Sequence, residues 1–259
     1  MSIFNQFSLT DQVSIVTGGA TGLGESMALA LAEAGSNIVI ADKDLEKAKK
    51  TVENIKEKCN VQAIAIGTDV TSEVQVNQMV DLTMNTFGRI DVLINNAGIS
   101  ILKEVIHLEY EDWRRIIDVN LNSIFLVSKA VAKVMIKQQK GSIINISSMS
   151  GLIVNIPQFQ TAYNTSKSGV IMLTKSLAVE WVDHNIRVNT IAPGYMKTEL
   201  TEPYFAENGE MVRKWIELTP MKRPGDPKEL GPAAVYLASD ASSFVTGSVL
   251  SIDGGYTAI

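Results

Sequence analysis

Short runs of Val, Ile and Ala alternate along this 259-residue chain with stretches of helical spacing. The runs Val13–Val16, Asn37–Ala41, Val61–Gly67, Asp91–Asn95, Ser142–Ile146, Ile186–Ile191 and Ser248–Ile252 read as strands. The intervening stretches Ser26–Ala34, Asp44–Lys58, Ser72–Phe87, Glu109–Lys137, Tyr163–Asp183 and Pro227–Ser239 read as helices. Strands that are apolar on both faces, rather than alternating with polar residues, belong to a parallel sheet covered by helices on both sides. The expected fold class is therefore α/β, a doubly wound sheet. No Pro/Gly/Ser linker divides residues 1–259, so a single domain is expected. In such sheets ligands bind beyond the carboxyl ends of the strands, and residues just after the strands are the first to inspect.

Composition excludes several roles. The net charge of −5 gives no reason to expect nucleic acid or an anionic membrane as a partner. Cys59 is the only cysteine, so neither an intrachain disulfide nor a cysteine-based zinc cluster can form. His107 and His184 lack ligand spacing, and no metal is expected. The start, Met-Ser-Ile-Phe-Asn-Gln-Phe, has no basic segment followed by an apolar one. No stretch approaches about 18 uninterrupted apolar residues. A cytoplasmic protein with no membrane partner is the expectation.

The first strand runs into Thr17-Gly-Gly-Ala-Thr-Gly-Leu-Gly24 and then a helix. Here Gly18, Thr21, Gly22, Leu23 and Gly24 would let the backbone and a helix N-terminus approach a pyrophosphate. Asp42 ends the second strand, where a carboxylate can accept from both adenosine-ribose hydroxyls and repel a 2′-phosphate. Asp42 equally suits capping the next helix, and the adjacent Lys43 can reach toward a phosphate. Asp69 and Val70, after the third strand, suit the adenine amino group and ring, with helix capping as the other reading of Asp69. Asn95-Asn96-Ala97-Gly98 follows the fourth strand, small and amide-rich where a chain passes a ligand. Pro193, Gly194, Met196 and Thr198 follow the sixth, and Thr198 can bond a phosphate or carboxamide. Asp253-Gly-Gly255 reads as a turn.

Tyr163 and Lys167 stand one helical turn apart. An ammonium near a phenol lowers its pKa and lets it exchange a proton near neutral pH. Taken alone, the pair also reads as an ordinary Tyr and a solvated Lys. Ser148 ends the fifth strand and can reach the same site. Asn120 interrupts the long helix, where Asn competes with backbone bonds, so a bend holding water is expected there. Ser150, Asn155, Gln158 and Gln160 place hydroxyl and amide groups before Tyr163, the amides either for a hydroxyl-rich ligand or for hydrogen bonds to the loop backbone.

These motifs, in this order and spacing, resemble the short-chain dehydrogenase/reductase family from about Leu9 to Tyr256. The resemblance implies an oxidoreductase with seven strands ordered 3-2-1-4-5-6-7, usually a homotetramer. It implies a catalytic tetrad. Tyr163 is the acid/base and Ser148 orients the substrate oxygen. Lys167 binds the nicotinamide ribose and lowers the Tyr pKa, and Asn120 holds a relay water. In family tetramers this helix pairs across a two-fold axis, and Val170, Leu173, Leu177 and Trp181 are candidates for that surface, or for the monomer core. The Ser148-to-Tyr163 spacing of fifteen residues and the stretch Ser-Met-Ser-Gly-Leu-Ile-Val-Asn-Ile-Pro-Gln-Phe are similar to the polyol dehydrogenases of the family. Ser148, Ser150, Asn155, Gln158 and Tyr163 would then meet a polyol or ketose, with NAD as cofactor. A ketoreductase for acyl thioesters, or a non-catalytic NAD-binding protein, are the other readings.

Overall fold

The computed structural model describes residues 2–198, 201 and 209–259. Seven strands form one sheet: β1 (Val13–Thr17), β2 (Asn37–Asp42), β3 (Ala63–Gly67), β4 (Val92–Asn95), β5 (Gly141–Ile146), β6 (Ile186–Pro193) and β7 (Val249–Ile252). Their order is β3-β2-β1-β4-β5-β6-β7 and all pairs are parallel, as the resemblance implied. The order reverses beside β1, whose Thr17 stands opposite both Ala41 of β2 and Asn95 of β4. That reversal opens a crevice at the carboxyl edge.

The main helices are α1 (Gly22–Glu33), α2 (Leu45–Lys58), α3 (Glu73–Phe87), α4 (Tyr110–Ile117), α5 (Ser123–Gln138), α6 (Thr161–Trp181), α7 (Glu210–Leu218) and α8 (Gly231–Ala238). Met27 and Leu31 of α1, Val52 of α2 and Leu237 of α8 cover one face of the sheet. Val76 and Met79 of α3, Val131 of α5 and Leu177 of α6 cover the other. Burying each such side chain contributes about 1.5–3 kcal/mol, so both faces are strongly committed and the crevice edge is left for polar work.

Four departures from the sequence reading have physical causes. Helix α1 begins at Gly22 rather than Ser26, because the Gly-rich turn feeds directly into it. The long segment around Asn120 is split: a π turn at Asp118–Asn122 separates α4 from α5, the irregularity expected of an Asn inside a helix. Helix α7 was not foreseen; it is short, and only Val212 and Trp215 are buried. Pro227–Ser239 divides into a 3-10 turn, Pro227–Leu230, with a capping box from Asp226 and Glu229, followed by α8.

Val170, Leu177 and Trp181 are buried within the monomer, and Leu173 packs against the same core. Leu173, Leu177 and Trp181 form the stripe packed in the core on this face of the sheet, and the monomer-core alternative holds for the buried Val170, Leu177 and Trp181. The apolar side chains that α6 leaves exposed are Met172 (61%) and Val179 (78%). The continuous helical stretch Tyr110–Gln138 is long and apolar enough to cross a membrane by length and composition alone. Its apolar residues Ile124, Val127, Val131 and Met135 are buried in the protein, as in a core helix. Among the described residues no cluster of His, Cys, Asp or Glu has the grouping to hold a metal ion.

Candidate active site

A cleft of about 1260 Å³ runs along the carboxyl edge, from Asp42 and Asp69 past the Gly-rich turn to Ser148, Tyr163 and Lys167. The site residues singled out in the sequence line it, except Gly24, Asn95 and Asn120, which act from behind the wall.

At one end the backbone is shaped by absent side chains. Gly18 and Gly22 have φ of +59° and +63°, in the left-handed region that favours glycine. A Cβ at Gly24 would collide with the Gly18 carbonyl oxygen and stand 2.6 Å from Nδ2 of Asn96. Asn96 staples the end of β4 to this turn: its Nδ2 donates to the carbonyls of Thr17 (3.1 Å) and Gly18 (2.8 Å). Asn95 turns inward instead. Its Nδ2 donates to Ser128 Oγ (2.9 Å) and Asn145 Oδ1 (2.8 Å), and Asn145 Nδ2 donates to Thr174 Oγ1 (2.9 Å) of α6. Thr198 faces Gly22, and a Cβ placed there would be in ordinary van der Waals contact with its side chain.

Asp42 is a brace for the turn. One carboxylate oxygen accepts from the Ala20 amide (3.1 Å) and the other from the Asp44 amide (2.9 Å). The cap of α2 is Asp44, which accepts from the Lys47 amide at 3.1 Å. Lys43, 83% exposed, pairs with Asp69 at 3.3 Å. Asp69 accepts from the hydroxyl and amide of Thr71, and these bonds, with Lys43, hold its carboxyl below the ordinary range. Ser72, not Asp69, caps α3.

The fit to a nicotinamide dinucleotide rests on these features. The turn between β1 and α1 admits no Cβ at Gly24, and no side chain caps the first turn of α1. A carboxylate stands at the end of β2, and the cleft is long enough to join this end to Tyr163.

At the other end, Tyr163 and Lys167 lie one turn apart on α6, with Lys167 Nζ 5.6 Å from the Tyr163 ring centre. Lys167 is 4% exposed, and its Nζ donates to the Ile146 carbonyl at 2.9 Å. Burial lowers its pKa to about 8. Burial also pushes the Tyr163 phenol above its ordinary value, partly offset by a hydrogen bond from Ser148. The group that lowers the phenol here is thus Ser148. Lys167, expected to do so, is aimed at the Ile146 carbonyl and is itself desolvated. Asn120 is fully buried; its Oδ1 accepts from the Ile99 amide (2.8 Å), and its Nδ2 donates to the Ile99 carbonyl (2.9 Å) and Ser166 Oγ (3.1 Å). It ties the strand after β4 to the helix that carries Tyr163.

The amides ahead of Tyr163 bond one another. Asn155, 2% exposed, accepts at Oδ1 from Ser150 Oγ (2.9 Å) and Gln160 Nε2 (3.0 Å). Asn155 Nδ2 and Gln158 Nε2 both donate to the Tyr195 hydroxyl, at 2.8 and 2.9 Å, and Gln158 Oε1 accepts from Trp215 Nε1 at 2.8 Å. These amides therefore bond to side chains, within the loop and at Tyr195 and Trp215, rather than to the loop backbone. The amide nitrogens of Asn155 and Gln158 each keep one hydrogen for a further acceptor, while Gln160 Nε2 uses both, on Asn155 Oδ1 and on Ser150 Oγ at 3.2 Å. Tyr195 and Trp215 were missed in the sequence. Tyr195 stands between the selected Gly194 and Met196, and a tyrosine at that strand end was the available signal.

Comparison with known proteins agrees with this geometry. Residues 18–257 match the family model described as enoyl-(acyl carrier protein) reductase. A sorbose reductase of Candida albicans is 40% identical over 99% of this chain and 90% of its own length. A galactitol 2-dehydrogenase of Rhizobium johnstonii is 38% identical over 99% of both. A 3-oxoacyl-[acyl-carrier-protein] reductase of Synechocystis sp. is also 38% identical, over 96% of this chain and 98% of its own. Among solved structures, a short-chain type dehydrogenase/reductase from Mycobacterium marinum superposes with a TM-score of 0.95 at 40% identity, with both chains fully covered. The chain belongs to the short-chain dehydrogenase/reductase family of oxidoreductases, whose members bind a nicotinamide dinucleotide.

Proposed function

We propose that this protein is an NAD-dependent dehydrogenase that interconverts a secondary alcohol of a polyol, or a related sugar derivative, with its ketose. The observation that carries the reading is the wall facing Tyr163. Ser148, Asn155 and Gln158 border the cleft beside the phenol, and the two amides retain hydrogens for hydroxyl or carbonyl oxygens. The polyol-type loop before Tyr163 and the similarity to a sorbose reductase and a galactitol dehydrogenase support the same substrate class. Asp42 at the ribose end of the cleft supports NAD.

Tyr163 exchanges the proton of the reacting hydroxyl, and the Ser148 hydroxyl holds that oxygen. Lys167, buried beside the phenol, would donate to the nicotinamide ribose with a hydrogen not given to the Ile146 carbonyl. The Asn120 side chain already has protein partners, so a relay water at the π turn would be held by a backbone carbonyl there. A bound nicotinamide supplies the hydride acceptor. Met172 and Val179 on α6, with the half-exposed Phe125 on α5, support assembly as a homotetramer across these helices.

The test is NADH formation with pentitols and hexitols, beside the corresponding NADPH assay and a 3-oxoacyl thioester as competing substrate. Turnover of at least one sugar alcohol, above any thioester reduction, is expected. Efficient thioester reduction with no polyol turnover would refute the reading.

A further inference from the structure

Tyr195 follows β6 and is held from several sides. Its ring stacks on the Trp215 indole of α7, with centroids 4.2 Å apart and planes at 12°, and meets the Tyr256 ring edge-on at 5.6 Å and 81°. Its hydroxyl takes the two amide donors from Asn155 and Gln158, and Gln158 is fixed in turn by Trp215. The loop before α6, helix α7 and the C-terminal turn therefore meet on one side chain. Burial holds its phenol well above the ordinary value, so it remains a neutral group at physiological pH.

The position of this ring is informative. Behind the catalytic cleft lies a second cavity of about 340 Å³, lined by Thr219, Met221, Arg223, Glu229 and Asp253. Gly194, Tyr195 and Met196 border both spaces. Gly194 carries no side chain and is pressed against Asp253, and a Cβ there would stand 2.7 Å from the Asp253 Cα. Met196 is bridged to Gly225 on the far side. The tyrosine ring is the large rigid group between the two spaces.

We infer that Tyr195 is the end-stop of the substrate site: its clamped ring divides the catalytic cleft from the cavity behind it and sets how long a substrate the cleft accepts. A ring fixed by stacking and by two hydrogen bonds cannot rotate aside without leaving the buried Asn155 amide and the half-buried Gln158 amide without their acceptor. A short secondary alcohol fits against it, and a longer one is excluded. The inference rests on the proposed reaction for the substrates used, and on the two cavities for the role of the residue.

The experiment compares kcat/KM across two length series. One runs from a pentitol through a hexitol to a disaccharide alcohol, the other from 2-butanol to 2-decanol. The variants are Tyr195→Phe, Tyr195→Leu and Tyr195→Ala, each checked for folding by circular dichroism and for NADH binding by fluorescence. The wild type is expected to show a length cut-off, and Tyr195→Phe to keep it. Tyr195→Ala is expected to raise the long-to-short ratio by about tenfold or more, the scale on which a pocket discriminates size. Tyr195→Leu, which keeps an apolar contact for Trp215, should move the ratio in the same direction. Unchanged ratios in the folded Leu and Ala variants would overturn the inference. So would a wild type with no cut-off in either series, a result that needs no variant to fold. If the polyols are not turned over but the alkanols are, the proposed substrate class falls, and the alkanol cut-off still decides the role of Tyr195.

Discussion

Replacing Asp42 tests the cofactor reading and the brace at once, and the two effects separate. A phosphate on the ribose 2′-oxygen would face the Asp42 carboxylate. Two unit charges about 4 Å apart at an effective dielectric near 20 repel by about 4 kcal/mol, an upper guide at this solvent-bordered position. Lys43 softens it further, although that ammonium is drawn 3.3 Å from Asp69. A third of the full value corresponds to about tenfold in affinity. The wild type should therefore use NAD with at least about tenfold higher kcat/KM than NADP. Asp42→Ser should narrow that ratio by a similar factor. The same substitution removes the carboxylate that accepts from the Ala20 and Asp44 amides. At a half-buried position this costs about 1–3 kcal/mol, a fall of several degrees in Tm. Asp42→Asn keeps one acceptor oxygen and loses the charge, so its ratio should narrow while its Tm falls less. Steady-state kinetics with both cofactors and thermal denaturation provide the two readings. Equal efficiencies, or an NADP preference, in the wild type would refute the electrostatic argument and leave Asp42 as a brace alone.

Two other substitutions probe the reacting end. Tyr163→Phe should lower turnover by about 10²–10⁴ with NADH binding nearly unchanged; retention of a tenth of wild-type activity would remove Tyr163 as the acid/base. Lys167 carries a stability signature, because its pKa is about 8 in the folded chain against an ordinary 10.5. Between these values the unfolded chain binds the additional proton, so stability rises with pH through that window, and below pH 8 the buried charge destabilises the fold in full. From pH 8 to 10 the gain should be roughly 1–3 kcal/mol. Urea denaturation of the wild type and Lys167→Met isolates it, since the other titrating groups are common to both. Parallel stability curves would show that the lysine does not titrate in this range.

Local rules carried much of the fold. Unbroken apolar runs such as Val92-Leu93-Ile94 announce burial on both faces, and the small residues from Gly18 to Gly24 announce a backbone held close to something else. Helix periodicity, read strictly, also accounts for Val170, Leu177 and Trp181, which the sheet covers. Of the two readings, subunit surface or monomer core, spacing alone could not choose, because a stripe that faces a partner and a stripe that faces the core have the same spacing. What spacing does not contain is which polar groups find each other across the fold. The amides of Asn155 and Gln158 can be placed near Tyr163 by sequence, but their partner is Tyr195, at sequence separations of 40 and 37. Trp215 reaches Gln158 from 57 residues away, on a helix too short to be recognised. Lys167 was legible as a charge one turn from Tyr163, whereas its pKa and its aim at Ile146 depend on how completely the surrounding elements exclude water. A residue's type and interval are properties of the chain. Desolvation and the choice among competing hydrogen-bond partners arise only when distant elements pack, so only the tertiary structure decides them.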